Sequence, residues 1–350
     1  MASIALDPRL LAPPETSANA ATLRAYVTRL LGWSSFAREK GCTVTISRDA
    51  QQQLMADGAY PFAASLRDNL KSKGICEYDF PTIKVFCEGF FRMQPSFQEY
   101  VGVDDILHER AEFSPSLTGS QLLPNTTSEA EKNLVTLALL NHCQCRSPRV
   151  GFVLQNPVKA TQVSVSAYLH AIETSRTDLI ANGSLPSDIG GTVTVCSNLN
   201  DFASSCDVGA LFQNAVNDDQ LRLCIKLAVY RSRQQRHIDT DWDELPVFRI
   251  GAEFRGRARI VAGANIGLCF NIVRSIVDAI DNLNLPQTHV LRTGDGPNDP
   301  QRTSEGFGAW RRDITSEVHL HYWKGPKNLI EIGWVSHPHD DMHLPKPCGN

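Results

Sequence analysis

Half of the ten histidines in this 350-residue chain lie beyond residue 318. His319 and His321 flank Leu320 in Ser316-Glu317-Val318-His319-Leu320-His321-Tyr322-Trp323, and three more follow in His337-Pro338-His339-Asp340-Asp341-Met342-His343. Imidazole, with an ordinary pKa of about 6.5, gives or takes a proton near neutral pH and also ligates metals. Successive side chains of a strand point to opposite faces. A strand over 317–323 therefore puts Glu317, His319, His321 and Trp323 on one side and Val318, Leu320 and Tyr322 on the other. The next apolar stretch sets Ile330, Ile332 and Trp334 against Leu329, Glu331, Gly333 and Val335. The expectation is a hairpin with a wet, histidine-bearing face and an apolar face under a helix.

Cations accompany these rings. Arg255-Gly256-Arg257-Ala258-Arg259, read as a strand, carries three guanidiniums on one side, and Trp310-Arg311-Arg312 adds two just ahead of the histidines. The planar guanidinium fork suits phosphate. Two chemistries compete for such a set. One is acid–base cleavage of a phosphodiester without metal or cofactor. His319, His321, Tyr322, His337 and His339 would then handle protons, while Arg255, Arg257, Arg259, Arg311 and Arg312 hold the anion. The other is a divalent metal held by His319, His321, His337 and Asp340, since imidazole with carboxylate suits zinc, iron or manganese. The arginines favour the first. Each feature also has a plainer explanation: histidines decorate wet surfaces, and charge on edge strands blocks aggregation.

Other signals are weaker. Arg292-Thr293-Gly294-Asp295-Gly296-Pro297 has a Gly-x-Gly but neither a following Walker lysine nor an opening helix, so it reads as a flexible loop. His142-Cys143-Gln144-Cys145 is one residue too tight for a zinc knuckle and lacks a second pair. Ten cysteines at irregular spacing, with Cys87, Cys224 and Cys269 inside apolar segments, read as reduced, buried thiols. A formal net charge of -4 gives no global attraction to nucleic acid or anionic membrane, so any basic site is local. No stretch of about eighteen apolar residues is present, and the opening residues lack a basic-then-apolar leader. A cytoplasmic protein without membrane association is expected.

The elements that must position these residues follow from periodicity. Helices are expected over 17–40, capped by Ser17, and over 50–56, 61–72, 82–92 and 128–143; a short strand falls at 43–47 and a Ser/Thr/Pro-rich loop at 114–127. Beyond Ser147-Pro148 the pattern becomes strand (149–154), helix (163–181), strand (192–196), then helices from Asp201 and over 218–231. A strand over 247–261 and a helix over 264–283, with Ile272, Ile276 and Ile280 at four-residue spacing, lead to the histidine hairpin. The fold class is α/β, or α+β overall. It divides into a mainly helical region 1–147, a small α/β unit 148–240 and a C-terminal α+β domain 245–350.

The order helix, loop, Trp310-Arg311-Arg312-Asp313-Ile314, histidine strand, turn, apolar strand and His337-Pro338-His339-Asp340 resembles the end of RelE/ParE-type toxin domains, over residues 245–350 at most. The resemblance implies a helix packed on a small antiparallel sheet that cuts RNA. Arg311 or Arg312 would clamp phosphate, His321 or Tyr322 would assist proton transfer, and His339 would fall in the final catalytic region. It implies a toxin-like effector, in phage defence or growth arrest, with RNA or another nucleic acid and a protein as partners. The alternatives are a non-catalytic subunit of a larger assembly and a metal-dependent nuclease or hydrolase.

Overall fold

The apolar run Ser3-Ile4-Ala5-Leu6 is buried on both sides, as a central parallel strand requires. A computed structural model describes residues 2–93, 95–117, 122–143, 150–154, 162–179, 187–283, 285–294, 296–337 and 342–348. The fold is α/β, with helices and two mixed sheets in two compact units, residues 2–205 and 206–350. One division at 205/206 stands where the sequence pattern suggests joins near 147 and 240–245.

The first unit runs β1 (Ala2–Leu6), α1 (Ala20–Ala37), β2 (Cys42–Ile46), α2 (Ala50–Ala56), α3 (Ala63–Ser72), α4 (Phe80–Gly89), α5 (Phe97–Val101), β3 (Val103–Ser114), α6 (Pro124–His142), β4 (Val150–Val153), β5 (Gln162–Thr174), β6 (Asp188–Cys196) and α7 (Leu199–Ser205). Its sheet has the order β2-β1-β4-β6-β5-β3, with parallel pairing from β2 to β6 and antiparallel pairing beyond. Helix α6 packs its apolar residues, among them Leu134, Ala138 and Leu139, into the core of this unit.

Three expectations need correction here. In place of the helix expected over 163–181, β5 occupies Gln162–Thr174, with Val163, Val165, Ala167 and Leu169 buried and Ser164 and Ser166 turned out. That is a period of two, which β-branched valines reinforce. The region 1–147 is mainly helical, as expected, and also holds the strands β1, β2 and the long β3. Asn19 rather than Ser17 caps α1, its Oδ1 accepting from Thr22 N at 2.9 Å, and α6 begins at Pro124, inside the expected loop.

The second unit runs α8 (Val208–Asn214), α9 (Asp218–Gln235), β7 (Phe248–Ile250), α10 (Phe254–Ala262), α11 (Ile266–Ile280), β8 (Thr288–Val290), β9 (Thr303–Ser304), β10 (Phe307–Asp313), β11 (His319–Lys324) and β12 (Ile330–Ser336). The sheet order is β7-β12-β11-β10-β8, with β9 beside β10; all pairings are antiparallel except β7 with β12. Asn265 caps α11 by accepting from Leu268 N at 2.9 Å, and its isoleucines at 272, 276 and 280 are buried. Helix α11 meets the sheet through a buried ion pair, Arg312 Nη2 to Asp278 Oδ2 at 2.6 Å, while Arg312 Nη1 donates to Thr288 Oγ1 at 3.0 Å.

The stretch 247–261 is strand only at Phe248–Ile250; the arginine-rich part is α10. Ala258 and Ala262, one turn apart, are buried, so this segment has a helical face rather than a strand face.

Leaving either member of a buried ion pair alone strands a desolvated charge, at about 3–5 kcal/mol, whereas an apolar pair of like volume avoids it. Arg312→Met should lower unfolding stability by that order, and Arg312→Met with Asp278→Leu should recover most of it, as read by denaturant unfolding.

Candidate functional site on the C-terminal sheet

Strand alternation separates three consecutive residues of β10. Arg312 turns toward α11, so Arg311 and Asp313 turn to the opposite face. Directly across in β11, Asp313 pairs with His319 and Arg311 with His321; in β8, Arg311 pairs with His289. One face thus collects His289, Arg311, Asp313, His319 and His321. Asp313 is its centre: Oδ1 lies 2.9 Å from His319 Nδ1 and 3.3 Å from Arg311 Nε, and Oδ2 lies 3.5 Å from His289 Nε2. The His319 contact is close but out of hydrogen-bonding alignment.

This face is wet at one end only. Residues 342–348 lie across the rest. His321 Nδ1 donates to the His343 carbonyl at 2.7 Å, which fixes its tautomer with the proton on Nδ1. Trp323 Nε1 donates to Pro345 O at 2.8 Å, and Arg302 donates to the carbonyls of Met342 and Leu344 at 3.0 and 2.8 Å. Cys348 N donates to Glu331 Oε1 at 2.8 Å. His321 is fully buried as a result.

A bulge shapes the same surface. His321 pairs with Trp334 but Tyr322 with Ile332, leaving Gly333 as the extra residue of β12. A Cβ on Gly333 would meet Leu344 Cδ1, so the glycine leaves room for that side chain under the terminal segment. The bulge also overturns the simple alternation expected for 329–335: Trp334 and Glu331 share the face of His321 and Trp323, and Ile332 takes the other. Trp334 contacts the His343 ring edge-on at 4.3 Å.

The expected residues therefore part company. His319 joins the Asp313 group. Neither His321, fully buried, nor His319, 7% exposed, stands on the expected wet face, and the terminal segment covers His321. Tyr322 lies on the helix-covered side; burial, partly offset by Arg312, pushes its phenol up to about 12. His337 is exposed just past β12, and His339 and Asp340 lie outside the described residues.

The arginines do not form one row. Arg255 is held by Asp218 at 2.9 Å and Val216 O at 2.8 Å. Arg257 donates to Val335 O at 3.1 Å and stacks over Trp334 at 5.0 Å. Arg259 is exposed. A two-residue spacing on a helix turns side chains about 200° apart, so the expected common side is lost. Arg311 faces Asp313, and Arg312 is committed to Asp278.

His289 and Asp313 went unflagged in sequence. Thr288-His289-Val290 carries a brief β signal before a glycine-rich loop, and Asp313 closes the Trp-Arg-Arg-Asp run. Among the described residues, no three His, Cys, Asp or Glu side chains are placed to hold a metal ion, and no helix is long and apolar enough to cross a membrane. Compared with known proteins, the chain matches no family model, no curated protein and no solved structure.

A phenol whose pKa is raised on folding keeps its contribution below the ordinary value, about 10, and loses it as pH rises through the folded value. Stability should therefore fall between pH 10.0 and about 12 through Tyr322. Tyr322→Phe should show a smaller loss over that window in denaturant melts at stepped pH.

Proposed function

We propose that the C-terminal unit binds and cuts RNA without metal, as a toxin-like effector of the RelE/ParE kind. The observation that carries this reading is the convergence of His319, His289 and Arg311 on Asp313 at 2.9–3.5 Å on a partly open sheet face. Two imidazoles supply a base and an acid, and a guanidinium supplies charge for the phosphate. Asp313 places its carboxylate beside the His319 ring, 2.9 Å from Nδ1. His319 would take the proton of a ribose 2′-hydroxyl as its oxygen attacks phosphorus. His289 would return a proton to the departing 5′-oxygen, leaving a cyclic phosphate. Helices α10 and α11 against a mainly antiparallel sheet agree with the architecture that the resemblance implies. Such an activity, acting in the cytosol, would arrest growth or block phage.

A second reading, a non-catalytic subunit that docks a partner protein, draws on exposed apolar side chains of two consecutive helices: Ile260 on α10 and Ile266 and Phe270 on α11.

The test is cleavage of end-labelled single-stranded RNA by the purified full chain. His319→Ala and Asp313→Asn should each lower the rate about 100-fold or more, and should combine less than additively. Arg311→Ala should chiefly weaken binding. EDTA should leave the rate unchanged. Undiminished cleavage by His319→Ala, or no cleavage by the folded parent, would remove this reading; in the latter case a partner co-purifying through Ile260 and Phe270 would support the second.

A further inference from the structure

The terminal segment is gripped almost wholly by its main chain. Arg302 holds the carbonyls of Met342 and Leu344 at 3.0 and 2.8 Å, and His321 Nδ1 holds that of His343 at 2.7 Å. Trp323 Nε1 donates to Pro345 O at 2.8 Å, and Arg249 Nη1 donates to Cys348 O at 3.1 Å. Glu331 has the reverse polarity, its Oε1 accepting from Cys348 N at 2.8 Å. The segment's own side chains add little beyond the edge of the His343 ring against Trp334. Leu344 and Pro347 are buried, whereas Met342, His343, Lys346 and Cys348 are exposed. Ordering residues 342–348 offsets most of what such hydrogen bonds and one leucine return. A ligand that meets the same donors can therefore displace the segment.

The floor beneath it alternates cations with aromatic rings. Arg302 lies over the Trp323 ring at 5.9 Å, and Arg257 lies over Trp334 at 5.0 Å. Trp323 and Trp334 share this face with His321. Guanidiniums that follow a backbone, beside indoles that stack bases, are how sequence-tolerant grooves hold a single nucleic-acid strand. The carbonyl oxygens of 342–348 stand where phosphate and base oxygens would accept, and Glu331 suits a donating base amine or ribose hydroxyl. An acidic peptide would satisfy the cations but leave the indoles without flat partners. The floor also runs into the Asp313 group, because His321 pairs across the ladder with Arg311.

We infer that Arg249, Arg302, His321, Trp323 and Trp334 form a track for single-stranded RNA, and that residues 342–348 occupy it in cis as an autoinhibitory strap. The inference rests on the RNA reading of the Asp313 group and adds its regulation: the strand enters where the strap leaves.

Binding is read with a 2′-O-methyl oligoadenylate of about twelve nucleotides, whose attacking hydroxyl is blocked so that it cannot be cut. A chain ending at Ser336 should bind it about tenfold or more tightly than the full chain, and the gain should shrink as salt rises. Arg302→Gln in the shortened chain should reverse most of that gain. Leu344→Ser keeps the strap's carbonyls but withdraws its apolar anchor, and should tighten binding about threefold. On the unaltered chain, which needs no variant to fold, saturating probe should speed hydrogen exchange across residues 342–348. Unchanged exchange there, or unchanged affinity in both folded variants, would overturn the inference. So would a shortened chain that rebinds a peptide of residues 337–350 but not the oligonucleotide. Parallel assays on unmodified RNA keep the two readings apart: a binding gain without cleavage leaves strap and track standing and removes the nuclease, and cleavage without a gain does the reverse.

Discussion

The ion pair between Arg312 and Asp278 sets the geometry of the C-terminal unit. It ties the end of β10 to α11 with both charges nearly out of water, where a mismatched register would strand one of them. Once Arg312 points inward, the pleat leaves its neighbours no choice: Arg311 and Asp313 must face the other way, toward His289 and His319. A buried electrostatic contact on one side of the sheet therefore aligns the open polar group on the other. Catalytic chemistry needs such fixed supports, because a site loosened by about 1 Å loses much of its rate.

The terminal segment performs a complementary task. Carbonyls of residues 342–345 accept from Arg302, His321 and Trp323, so polar side chains on an otherwise exposed face find partners without a second layer of helices. The first unit manages its buried polarity differently. Asp7, at the end of β1, is paired by Arg9 at 2.7 Å, and Ser47, Gln98 and Glu129 satisfy one another.

Much of the fold was readable from spacing. Helix α11 shows its isoleucines every fourth residue and a capping asparagine, and β11 and β12 announce themselves by aromatic and β-branched content around a Gly-Pro turn. What escaped were elements whose local pattern is ambiguous. Short arginine-glycine-alanine sequence has no apolar period to distinguish helix from strand, and α10 was misread accordingly. In β5 the small residues Ser164, Ser166 and Ala167 dilute an alternation that the valines nonetheless keep. The histidine cluster was visible as composition, but its partition was not. The closure over His321 is set by a segment more than twenty residues onward and by the extra residue Gly333, neither of which any local window contains.

Strand β1 lies between β2 and β4, yet its two neighbours are far apart in the chain: residues 42–46 on one side and 150–153 on the other. At ribosomal speeds of about 5–20 residues per second, roughly seven to thirty seconds separate the emergence of β1 from that of β4. Throughout that interval β1 has an unsatisfied edge, the kind that recruits stray strands. Nascent copies crowded on one messenger are thus exposed to mutual entanglement, and expression yield should respond more to translation rate and chaperone supply than to the stability of the finished fold.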